Sequence, residues 1–246
     1  MQSSNPAIAV LSRQAGAFNF GGTDLAATIS GTTTKALILV ALTLICGFFS
    51  MNYSIYAVYT TGQVPSLLVY GSLIAALVVA MITIFKPQSS PITAPIYAVL
   101  EGLALGALSG IFEIKYPGIA STAVLSTFVV VISMLALWKF KIIVPTARFR
   151  AIITGAVAGV AVLYIIDMVL RLFGVTFLPT SGAMSIGISL IVCTIAAFSL
   201  VLDFENIQMA VDQGLPKYFE YFNAFSLLVT FCWLYVEILK LLSRRE

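Results

Sequence analysis

Four carboxylates lie inside or at the ends of long apolar runs: Glu101, Asp167, Asp203 and Glu237. An ionised side chain in hydrocarbon is costly, so such acids normally face a bundle interior or a wet cavity, and they mark proton and cation routes. Their oxygens suit hard cations such as calcium. Each residue also admits a plainer reading. Asp167 precedes Arg171 by four residues and Glu237 precedes Lys240 by three, spacings that make interfacial ion pairs on one helix face. Asp203 could end its helix in the headgroup zone beside Glu205. Glu101 has no Lys or Arg within one turn, so it must pair across helices or carry a proton.

Other chemistries find little support. The chain has no histidine, which removes the usual general base, the commonest transition-metal ligand and serine–histidine catalysis. Cys46, Cys193 and Cys232 sit far apart in apolar runs without CxxC spacing and read as small hydrophobic residues. No GxGD motif supports an intramembrane aspartyl protease, and Lys240 lies too near the end of its run to hold a retinal. No enzyme activity and no resident cofactor are expected. Thirteen basic residues against ten acidic ones, scattered between apolar runs, argue against nucleic acid as a partner.

The elements that must position these acids are membrane spans. Of 246 residues, 60% are hydrophobic and only 9% charged, with a mean hydropathy of +1.06; the lipid bilayer is the expected partner. Seven stretches, 36–59, 64–85, 93–112, 119–138, 151–170, 183–202 and 219–242, reach the ~20 residues that cross a bilayer as helix. They lack the alternation of a barrel. Turn-forming connectors such as "KPQSSP" and "FLPTSG" separate them. The fold class is therefore an all-α, multi-pass membrane bundle over 36–246. Residues 1–35 are expected to be a mobile polar tail and not a signal peptide, since no basic start precedes a short apolar core. Gly102, Gly106 and Gly110, and likewise Gly155 and Gly159, repeat every four residues, a spacing that lets helices approach closely.

With the N-terminus in the cytoplasm, inner loops hold Arg13, Lys35, Lys86, Lys139, Lys141, Arg148, Arg150 and Lys217. Outer ones hold Lys115, Arg171, Lys240, Arg244 and Arg245. That bias predicts an inside N-terminus and an outside C-terminus. Helix six is expected to run on through "FENIQMAV" to the breaker "DQGLP", which puts Asp203 roughly 12 Å inside its cytoplasmic end at ~1.5 Å per residue. Glu101 falls at a similar depth, with Lys86 within reach. These three form an expected inner group, and Asp167 with Glu237 an outer one.

"FKPQSSPITAPIYAVLEGLALGALSGIFEIKYPGI", "LVLDFENIQMAV" and "WLYVEILKLLSRR" resemble the bacterial branch of the Bax inhibitor/YccA family, the transmembrane Bax inhibitor motif family, over about residues 36–245. The resemblance implies six helices around a central seventh, in a bacterial cytoplasmic membrane. It implies a pH-sensitive calcium leak, or else a membrane regulator that binds a membrane protease or another stress-response partner without transporting anything. In the family's leak, an aspartate on helix six and another on helix seven work with a basic latch from helix two. Asp203 matches the first, and Lys86 stands close to the latch. The second aspartate is missing, its place falling near Thr230. Glu101 is the proposed substitute, with Asp203 expected to titrate near neutrality and to gate the path. Any calcium at Asp203 and Glu101 would be transient.

Overall fold

The computed structural model describes residues 26–175, 177–179 and 182–245. Among the described residues, seven helices are long and apolar enough to cross a membrane. They are α1 (Ile29–Thr61), α2 (Leu67–Phe85, opening on one π-helical turn over Leu67–Gly71), α3 (Ser90–Lys115), α4 (Ile119–Lys139), α5 (Ala147–Leu172), α6 (Ala183–Asp212) and α7 (Tyr218–Ser243). No strand occurs among the described residues, only an isolated bridge between Ala26 and Pro216.

Local chemistry sets the helix ends. Thr28 caps α1 through its hydroxyl, which accepts from the Gly31 N–H, and Gly62 ends it in the left-handed conformation with φ 68°. Thr146 caps α5 in the same way, accepting from the Phe149 N–H at 3.2 Å. Pro87 opens the 3-10 turn Pro87–Ser89 between α2 and α3, because proline has no N–H to lose in a first turn. As expected, α6 continues past Asp203, and it ends at Asp212. Residues 26–35 of the expected tail are structured: α1 already starts at Ile29, and Ala27 donates to the Leu215 carbonyl at 2.8 Å, fastening this segment to the α6–α7 connector. The first 25 residues of the expected tail lie outside the described residues.

α7 is the central helix. It packs against α1, α3, α4 and α6, while α2 lies outside against α3 and α5 outside against α6. α3 and α6 do not form a packed pair, because α7 stands between them. The closest approach is between α1 and α3. Across it the Ser50 hydroxyl donates to the Leu103 carbonyl at 2.6 Å and the Thr43 hydroxyl to the Ala98 carbonyl at 3.1 Å. Gly102, Gly106 and Gly110 all face α1 there. Gly155 and Gly159 do not share this role, since a Cβ on either would meet nothing within 4 Å. Their helix packs mainly along α6, and both glycines are exposed. Large apolar side chains such as Phe48, Phe49, Tyr56 and Leu67 cover the outside, where lipid solvates them as well as a core would.

Candidate functional site

α6 and α7 build the site. Asp203, on α6, is 7% exposed. Its Oδ1 accepts from the Ser226 hydroxyl of α7 at 2.8 Å, and the Thr230 side chain, one turn further along α7, lies against the same carboxyl. Oδ2 is buried without a hydrogen-bond partner among the described residues. So is Nδ2 of Asn223, one turn before Ser226. Where the resemblance would put a second aspartate, α7 thus presents an amide and two hydroxyls at i, i+3 and i+7, one helical face. On α6 itself, Asn206 accepts from the Arg150 guanidinium of α5 at 3.2 Å, and Glu205 accepts from the Trp138 ring N–H of α4 at 3.1 Å.

The expected inner trio is not assembled. Glu101 is half-buried beside the Tyr97 hydroxyl of its own helix and Cys232 of α7. Cys232 stands about 120° around α7 from Ser226 and about 160° from Thr230, at 100° per residue. Glu101 and Asp203 therefore flank the central helix on different sides. Lys86 ends α2 with an exposed side chain and makes no ion pair among the described residues. Arg150 is a cation that the fold does bring to the Asp203 end of α6, at Asn206 and Met209. A latch by Lys86 would need α2 to move.

The buried ion pair at this side of the bundle is a different one, between Lys35 of α1 and Glu220 of α7. Glu220 is 1% exposed, and its other oxygen accepts from both the N–H and the hydroxyl of Thr28, each at 2.9 Å. The carboxylate rests on Gly31, where any Cβ would strike it. Sequence reasoning passed over Glu220 because it stands at a helix start, the usual place for a solvated acid. Only α1 folding over it makes it a buried one.

The outer acids separate as well. Glu237 of α7 is 1% exposed; its Oε1 accepts from the Tyr164 hydroxyl of α5 at 2.9 Å and from Lys240 at 3.0 Å, while its Oε2 is buried without a partner. The Lys240 ammonium also lies 4.9 Å from the centre of the Tyr164 ring. Asp167 instead pairs with Arg171 at 2.6 Å and accepts from the Leu178 N–H at 2.9 Å, fastening the α5–α6 connector. Both i+3 and i+4 pairs read from the sequence form, and Glu237 is in addition fully enclosed. Tyr164, which no charge pattern could single out, completes its surroundings.

Among the described residues no three His, Cys, Asp or Glu side chains converge on a point. Asp203 with its two hydroxyl neighbours falls short of the six to eight oxygens that cage calcium. The class of protein is thus a polytopic membrane bundle with acids enclosed along its central helix. A family model described as Bax inhibitor 1 like matches residues 5–246, and the chain belongs to that family. No curated protein and no solved structure matches it.

Proposed function

We propose that this chain is a pH-regulated cation leak of the Bax inhibitor type, passing calcium, with Asp203 as its titrating group. It would work in a bacterial cytoplasmic membrane, N-terminus inside. The observation that carries the reading is the Asp203 carboxyl, enclosed at the α6–α7 contact with one oxygen held by Ser226 and the other unpartnered. An acid kept there has a lone pair ready for a proton or a cation. A carboxyl serving only to join two helices would have both oxygens satisfied. The groups on the facing side of α7 are an amide and two hydroxyls, and Asp203 makes no ion pair among the described residues, so its protonation changes the net charge of the site.

The test is calcium flux into liposomes holding the purified full chain, measured across a range of pH. Wild-type flux should vary with pH, and Asp203→Asn, equal in size but unable to ionise, should flatten the profile. A variant that keeps the wild-type profile would refute Asp203 as sensor. Absence of flux at every pH would favour the rival reading, a non-transporting regulator that binds a membrane protease or another stress-response partner.

A further inference from the structure

We propose that the ion path is the seam between α6 and α7, made of two polar stations separated by one dry layer that Leu200 and Leu234 close. The inference rests on the leak reading but adds the route and its gate. Asn223, Ser226, Thr230 and Glu237 fall within about 60° of one another around α7, at 100° per residue. Their partners on α6 follow a matching stripe. Asp203 faces Ser226, Cys193 lies beside Glu237, and the Ser185 carbonyl accepts from Arg244 of α7 at 2.8 Å, with the Ser189 hydroxyl bonded to the same guanidinium.

Unpartnered atoms concentrate on this seam. Among the described residues five buried side-chain nitrogen or oxygen atoms lack a hydrogen bond, and four of them belong to Asp203, Asn223, Glu237 and Ser185. Buried polar atoms are normally satisfied, so a row of exceptions along one helix contact calls for a reason. Groups that must exchange partners with a passing ion supply one.

The seam is not continuously polar. Between Thr230 and Glu237 α7 advances about 10 Å, at ~1.5 Å per residue. That length is filled by Ala196 and Leu200 of α6 and Leu234 of α7, exposed by 0%, 0% and 1%, in one apolar cluster. A dry layer of this kind stops hydrated ions without any plug. At the outer station the Lys240 ammonium occupies Glu237 and the Tyr164 ring face, where an incoming cation would bind.

Leu200→Ser and Leu234→Ser should wet the layer. Calcium flux into liposomes is expected to rise by about tenfold or more over wild type, a modest lowering of a barrier for which each tenfold needs only about 1.4 kcal/mol. Leu228→Ser is the control: it is equally buried on α7 but lies in the other apolar cluster, off the seam, and should leave flux unchanged. If the serine variants fail to purify as folded protein, Leu200→Ala and Leu234→Ala replace them, with a smaller rise expected. Folded seam variants conducting at the wild-type rate overturn the proposal, as does an equal rise in Leu228→Ser. A pH-dependent wild-type flux unmoved by either leucine sinks the path alone. Seam variants that conduct although wild type does not would keep the path and sink the leak reading.

Discussion

Replacing Gly106 by alanine should separate α1 from α3. A Cβ built on Gly106 would stand 2.7 Å from both Cα and the carbonyl carbon of Gly47, and closer still to the carbonyl oxygen. Carbon atoms rest at ~3.5–4.0 Å, so the backbones must part by about 1 Å, and no flexible side chain is present to yield. Overpacking of this kind costs about 2–3 kcal/mol. The same displacement strains the Ser50–Leu103 and Thr43–Ala98 hydrogen bonds, each worth about 0.5–1.5 kcal/mol. The sum is about 3–6 kcal/mol. Gly155→Ala meets nothing and should gain about 0.5–1 kcal/mol of helix propensity or stay neutral. Unfolding of purified protein in mixed micelles by increasing dodecyl sulfate, followed through Trp138 and Trp233, measures both. Gly106→Ala unfolding at the wild-type midpoint, or Gly155→Ala falling as far as Gly106→Ala, would refute the assignment of which glycines carry helix contact.

Lys35→Met strands the Glu220 carboxylate with only the Thr28 donors and should cost about 3 kcal/mol. Adding Glu220→Gln should recover at least half of that, and a double-mutant cycle with no coupling would deny the pair any stabilising part. Asp167→Asn should speed proteolysis of the α5–α6 connector while calcium flux stays at the wild-type rate, because its partners are Arg171 and the Leu178 N–H. Loss of flux with the connector intact would return Asp167 to the ion path. Reporters fused after Arg245 and inserted in the 140–146 connector should lie on opposite sides of the membrane, the second one cytoplasmic; both on one side would mean that one helix does not span.

The sequence by itself determined much of what depends on distance along the chain, though not the start of α1 at Ile29. Seven runs of sufficient length specify seven helices, and the breaker after Val211 ends α6 beyond Asp203. The constant rise per residue separates Asp203, toward one end of the spans, from Glu237 toward the other. The i+3 and i+4 spacings announced the Glu237–Lys240 and Asp167–Arg171 pairs. What only the tertiary structure decided is direction around each helix axis. In a bilayer the lipid-facing side is as apolar as the packed side, so hydrophobic periodicity does not reveal which face a helix turns inward. The same four-residue glycine spacing therefore makes a tight contact at Gly102–Gly110 and none at Gly155–Gly159. Glu101 and Asp203, expected at similar depths, lie on different flanks of α7. Glu220, ordinary at a helix start, becomes a buried anchor because a helix nearly two hundred residues earlier closes over it. Contacts between residues so far apart in sequence are set by how seven helices share one centre, and no local pattern encodes that.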